Sequence, residues 1–119
     1  GGGAVANPGL WSASQFVTVG GTSSFATAVD RTGVPDAAPE AVYQSYVFAS
    51  NGVGQRLSVD VPVTDGTYFV RLHFAEANIT SGGGQRRFDI LLQDVVRQAN
   101  FDVFARGGNA RFKAVTSDL

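Results

Sequence analysis

The chain has 119 residues, the size of one domain able to bury a core without staples, and nine Lys and Arg against ten Asp and Glu leave a net charge of −1. So balanced a charge offers no basic field for a phosphate backbone, which argues against nucleic acid as a partner. With no cysteine and one histidine, His73, neither a disulfide framework nor a thiolate or His-rich metal site is expected, and nothing implies a cofactor.

No apolar run approaches the about 20 residues that span a bilayer, so membrane insertion is not expected. Residues 1–8 lack the charged start and apolar middle of a signal peptide. The chain is read as mature or as an excerpt of a larger polypeptide.

Val, Thr, Phe and Ser in short runs broken by glycine and proline predict strands joined by turns, with no convincing 3.6-residue periodicity. Phe16 to Val19 is the first candidate strand. Asp30 to Glu40, with Gly33, Pro35 and Pro39, reads as a loop. Val42 to Phe48 reads as a strand. In Leu57 to Val63 the apolar residues alternate with Ser58, Asp60 and Pro62, the pattern of a half-buried strand, and Pro62 marks it as an edge or a bulge. Asp65-Gly66 suits a tight turn, and Tyr68 to Ala75 resumes the alternation, so the two runs predict a β-hairpin.

In that second run Val70, Leu72 and Phe74 share one face, and Phe69, Arg71 and His73 the other. Ser81 to Gly84 is a loop tip. Phe88, Ile90 and Leu92 alternate along another strand, and Val95-Val96, Phe101 to Phe104 and Phe112 to Val115 are shorter candidates.

A catalytic reading would pair His73 as general base with Glu76 or Asp102 and would need a nucleophile or metal nearby. Alternation puts His73 and Glu76 on opposite faces unless the strand bends at Ala75, which argues against a dyad. His73 is therefore read as exposed or paired across strands, and no catalytic residue is assigned. Glu76 either anchors the loop that follows or is an ordinary strand-end carboxylate. Asp89 and Asp102, each in an aromatic-Asp-aliphatic triplet, are expected to face outward or cap a loop. Arg71, Arg86 and Arg87 are candidates to pair with them, at up to about 1 kcal/mol per exposed pair.

The stretches VYQSYVFAS (Val42 to Ser50), DGTYFVRLHFAE (Asp65 to Glu76), RRFDILLQDVV (Arg86 to Val96) and NFDVF (Asn100 to Phe104) resemble malectin and malectin-like domains, a family of carbohydrate-binding modules. They cover the middle and later two-thirds of the chain in the family's order. The resemblance implies an all-β fold, a jelly-roll-like β-sandwich whose loops at one end bind the non-reducing end of a glucan, a glucose disaccharide in malectin proper. Gly1-Gly2-Gly3 is similar to the family's opening turn with its strand absent. The chain stops at Ser117-Asp118-Leu119, where a further long strand is usual. The expectation is a single malectin-like domain over 1–119 whose first and last strands are lacking or supplied by neighbouring domains or chains.

By position, Phe48 matches a family aromatic that packs on the sugar, with a phenyl ring in place of a tyrosine; stacking survives and one hydrogen bond is lost. Phe25 falls near an earlier family tyrosine. Asn78 and Ile79 stand where malectin carries its aromatic pair, which removes its principal stacking platform. Trp11, Tyr43 and Tyr46 are the other aromatics weighed for a pocket wall, against a role in packing. Asn78-Ile79-Thr80 is also an N-glycosylation sequon; a glycan there would crowd the sugar-binding end and favour a structural role.

These residues lead to a non-catalytic carbohydrate-binding module of a larger extracellular or cell-surface protein. Phe48, Phe25 and Trp11 would stack, and Gln44, Asn51, Glu76 and Asn78 would hydrogen-bond. Single-site sugar binding is weak, so repeated copies would supply avidity. The alternative is a structural or assembly module that packs against neighbouring domains and has lost the sugar site; a third reading attaches the module to a hydrolase outside these residues.

Overall fold

The computed structural model of the protein describes residues 5–6, 10–11 and 16–119; the Gly1-Gly2-Gly3 turn lies outside them. The described residues are mostly strands with two short helices: β1 (Val5–Ala6), β2 (Leu10–Trp11), β3 (Val17–Val19), β4 (Gly21–Ser24), α1 (Glu40–Gln44), β5 (Ser45–Phe48), β6 (Ser58–Val59), β7 (Arg71–Ala75), β8 (Phe88–Leu92), β9 (Val95–Phe101), α2 (Val103–Arg106) and β10 (Ala114–Asp118). They pair as antiparallel ribbons, β1 with β2, β3 with β6, β4 with β5, β7 with β10 and β8 with β9. The chain divides into two units, Gly1–Ala28 with Ala38–Tyr68, and Val29–Ala37 with Phe69–Leu119.

In the first unit β4 and β5 pair with Gly21 opposite Phe48 and Ser23 opposite Tyr46. The run expected as one strand from Val42 to Phe48 is helical in its first half. Pro39, with φ −53°, enters the helix without giving up a needed N–H, its carbonyl accepts from Val42 N at 3.0 Å, and Glu40 sits at the positive end of the short helix. Val42 and Tyr43 are buried, and the Tyr43 hydroxyl accepts from Ala38 N at 3.3 Å.

The expected hairpin about Asp65-Gly66 does not form. In Leu57 to Val63 only Ser58–Val59 pairs, with β3, and Leu57, Val59, Val61 and Val63 are exposed. Alternation identifies the two faces of an extended segment but not its partner, and Pro62 removes a donor from any ladder there. The second half of the proposed hairpin pairs instead with the end of the chain: Arg71 lies opposite Asp118, Leu72 opposite Ser117 and His73 opposite Thr116, and Leu119 N donates to Val70 O at 3.0 Å.

In the second unit β8 and β9 form a hairpin through Gln93 and Asp94, with φ of 50° and 63°. Two consecutive left-handed residues are the signature of a type I′ turn, whose twist suits a two-residue hairpin. Side chains of both ribbons and of α2 meet in one cluster of Ile90, Phe101, Val103 and Val115, bordered by Leu72, Phe74, Phe88 and Leu119. Three rings bind it together, with centroids 5.1 Å apart for Phe74 and Phe101, 5.6 Å for Phe88 and Phe101 and 5.9 Å for Phe74 and Phe88. Each such pair contributes about 0.5–1.5 kcal/mol beyond area burial. The Ser117 hydroxyl donates to Gln98 Oε1 at 2.7 Å, joining β10 to β9.

Phe101 to Phe104 is also not one strand. Phe101 ends β9, and Asp102 caps α2 by accepting from Ala105 N at 3.0 Å, which turns the chain into helix at Val103. The loop from Asp30 crosses to β10: Asp30 N donates to Phe112 O and Ala114 N to Asp30 O, both at 2.8 Å, while the Asp30 carboxylate accepts from Thr32 N at 2.9 Å.

Candidate functional site

The residues singled out as sugar contacts fall in both units. Phe25, Gln44, Phe48, Asn51 and Trp11 belong to the first, Glu76 and Asn78 to the second.

Along β4, β5 and the residue that follows β4, the first unit carries a chain of aromatic rings. Phe25 and Tyr46 have centroids 6.2 Å apart, and so do Tyr46 and Phe48. Phe48 is 44% exposed. A Cβ at Gly21 would lie 2.7 Å from Phe48 Cζ, so the ring lies over the glycine opposite it, one side on the backbone. Only a residue without a side chain permits that posture. Phe25 N donates to Gln44 O at 2.9 Å, and Gln44 Nε2 donates to Thr27 O at 3.0 Å and Ala26 O at 3.4 Å, so the Gln44 amide secures the turn behind the rings. Asn51 is exposed in the bend after Phe48, half-buried Trp11 pairs with Val5 on the β1–β2 ribbon, and Tyr43 belongs to the interior.

In the second unit the loops 76–87 and 102–113 lie together. The Glu76 side chain is 4% exposed; its Oε1 accepts from Asn78 N at 2.9 Å and Ile79 N at 3.3 Å, and Arg86 Nη1 donates to both carboxylate oxygens at 2.9 Å. That carboxylate anchors the loop. Asn78 and Thr80 are exposed on it and Ile79 is half-buried. From the other loop, Phe112 N donates to Glu76 O at 2.9 Å and Arg111 Nη1 to Ala77 O at 3.3 Å. Asp102 accepts from Gly84 N as well as Ala105 N, and a Cβ at Gly83 would lie 3.1 Å from Ala105 Cβ and 3.4 Å from Asn109 Oδ1, so the glycine tip rests against α2 and the turn after it. These amides, the Ala105 bond first, hold the Asp102 carboxyl below its ordinary value of 3.8.

Sequence reasoning overlooked Arg111 and Asn109, although the Arg106-Gly107-Gly108-Asn109 run was a legible turn signal. Two of the three arginines choose other partners than those expected: Arg86 takes Glu76, and Arg71 takes Asp118, with Nε to Oδ1 at 2.6 Å and Nη2 to Oδ2 at 3.0 Å, while Asp89 accepts from Asn100 N at 2.9 Å. His73 is half-buried on β7, and burial first, then Arg71, lower its pKa from 6.5. Among the described residues no helix is long and apolar enough to cross a membrane, and no group of three or more His, Cys, Asp or Glu gathers to hold a metal ion.

A family model described as the malectin domain matches residues 9–119 of the chain. No match to a curated protein or to a solved structure reaches significance.

Proposed function

The chain belongs to the malectin domain family, whose members are carbohydrate-binding and non-catalytic modules, and on that premise we propose that it is itself a non-catalytic carbohydrate-binding module with the family's β-sandwich topology. The observation that carries this reading is the exposed ring of Phe48, held on Gly21 and continued by Tyr46 and Phe25. A flat apolar plate backed by a rigid ribbon suits the C–H face of a pyranose. Asn51 and Trp11 would add to the contact, and the protein would act outside the cell, as part of a larger polypeptide, through repeated weak sites.

A glycan-array screen with Phe48→Ala as control tests the reading. Binding that disappears in a folded variant supports it; a folded protein that retains no glycan overturns it.

The second reading, a structural module, is favoured by one observation. Leu57, Val59, Val61 and Val63, which alternate in the sequence, are all exposed, a surface a neighbouring domain would cover. Retention of partner-free solubility with glycan binding would speak against it.

A further inference from the structure

Of the five asparagines in the chain, Asn51 alone is followed by glycine. The backbone nitrogen after an asparagine can attack its side-chain carbonyl carbon, and the rate depends on how freely that nitrogen can approach. The other four positions are each restrained. Asn7 precedes Pro8, whose nitrogen carries no hydrogen. Asn78 precedes the branched Ile79, whose N–H is donated to Glu76 Oε1 at 3.3 Å. Asn100 lies inside β9 and precedes Phe101, which is 2% exposed. Asn109 precedes Ala110, and its own N donates to Phe104 O at 2.9 Å.

Asn51 has none of these restraints. Residues 51–57 are exposed throughout, and among the described residues no hydrogen bond holds the Asn51 side-chain amide or the Gly52 N–H. Gly52 has a φ of 118°, and a Cβ placed there would meet only Gln55 Cγ, at 3.9 Å, so the backbone stands in open space. A glycine without side chain or packing around it turns its nitrogen toward the preceding residue at the least cost.

We propose that Asn51 is a site of spontaneous covalent change in the folded protein. Gly52 N loses its proton and bonds to Asn51 Cγ; the Cγ–Nδ2 bond breaks, and the amide nitrogen takes up a proton and leaves as ammonia. The product is a succinimide ring, which a water molecule then opens. Water at Cγ breaks the new bond and leaves an aspartate side chain on the original backbone. Water at the main-chain carbonyl carbon breaks its bond to Gly52 N instead, so the chain continues through Cβ and Cγ as isoaspartate, one carbon longer. Either product exchanges the amide and its donors for a carboxylate and adds a negative charge to a chain of net charge −1. Asn51 follows β5, which ends at Phe48, so the change falls beside the exposed ring. Resting on the carbohydrate-binding reading, its consequence is weaker contact with a neutral sugar.

Peptide mapping by mass spectrometry tests the chemistry, on the full chain freshly purified and after incubation in warm, mildly alkaline buffer, with isoaspartate counted by enzymatic methylation. The expected result is loss of the Asn51 amide about tenfold or more faster than at Asn78, Asn100 or Asn109, and within about threefold of its rate in the urea-unfolded chain. Gly52→Ala should slow the loss. Should that variant lose its thermal transition, Asn51→Gln replaces it, since its longer side chain would have to close a larger ring and should keep its amide. A folded chain that keeps the Asn51 amide while the unfolded chain loses it overturns the proposal, as does equal loss at the described asparagines. In a glycan-array comparison the aged protein should bind a neutral glycan about threefold or more weakly than the fresh protein, the worth of one hydrogen bond. Equal binding overturns the effect on the site. A fresh chain that binds no glycan removes the carbohydrate-binding reading, and the change at Asn51 is then decided by mass alone.

Discussion

One nitrogen of Arg86 reaches both carboxylate oxygens of Glu76, at 2.9 Å each, and thereby closes the loop between them against the end of β7. Glu76 is nearly fully buried while the Arg86 side chain is 48% exposed. The pair is therefore a half-screened one, and its worth lies mainly in what would follow if the buried member lost its partner.

Replacing Arg86 with Ala should cost about 1–3 kcal/mol, below the full cost of breaking a buried pair because water can reach the vacated place. Glu76→Ala should cost at least as much, since Asn78 N and Ile79 N lose their acceptor together. Urea denaturation of the two variants measures this; a change under about 0.5 kcal/mol for both would mean that the loop closes without the pair.

Asp102 should make the protein sensitive to acid. Its folded pKa is lowered below 3.8 by the amides of Ala105 and Gly84, so its contribution is present above that value and is lost as pH falls through the lower folded one. Asp102→Asn should flatten the acid limb of a stability profile, and hydrogen exchange at Gly84 should quicken in the variant. An unchanged Gly84 rate would show that the loop tip is held by other contacts.

His73 titrates in the opposite sense of linkage from a charge-paired histidine. Burial and Arg71 lower its folded pKa below 6.5, with Asp118 opposing, so above 6.5 it costs nothing, and the penalty grows as pH falls from 6.5 through the folded value. An NMR titration should place His73 below 6.5, and His73→Gln should remove that part of the acid-side loss. A value at or above 6.5 would contradict the burial argument.

The Gln93-Asp94 turn holds two non-glycine residues at positive φ, 50° and 63°. Asn at the first and Gly at the second suit a type I′ turn better, so Gln93→Asn with Asp94→Gly should stabilise the domain by about 0.5–1 kcal/mol. A lowered thermal midpoint would show that one of the native side chains contributes more than its backbone strain costs.

Periodicity made much of the strand content legible. Phe88, Ile90 and Leu92 were assigned to one face from alternation, and Ile90 is buried with Phe88 packed beside it. Leu72 and Phe74 turn to that cluster while Arg71 pairs with Asp118 at the surface, again as parity requires. The motifs around Asp65 to Glu76 and Arg86 to Val96 carried the family, which the match over 9–119 shows. The two helices were not legible, because at five and four residues they are too short for a 3.6-residue pattern to repeat and depend on Pro39 and Asp102 at their starts.

Side-chain alternation and turn chemistry are local properties, written within a few residues, and the sequence by itself determined these: an all-β chain, the faces of β7 and β8, and a loop beginning at Glu76. Which strands pair is a competition among segments far apart in the chain. Leu57 to Val63 had the better pattern and the nearer turn, yet β7 lies against β10, some forty residues on, because there Phe74 joins Phe88 and Phe101 while Arg71 meets Asp118. The buried position of Glu76 and the ring of Phe48 laid on Gly21 were likewise decided by the tertiary structure alone. Both depend on groups brought together by pairing and loop closure, and no local pattern in the chain encodes that proximity.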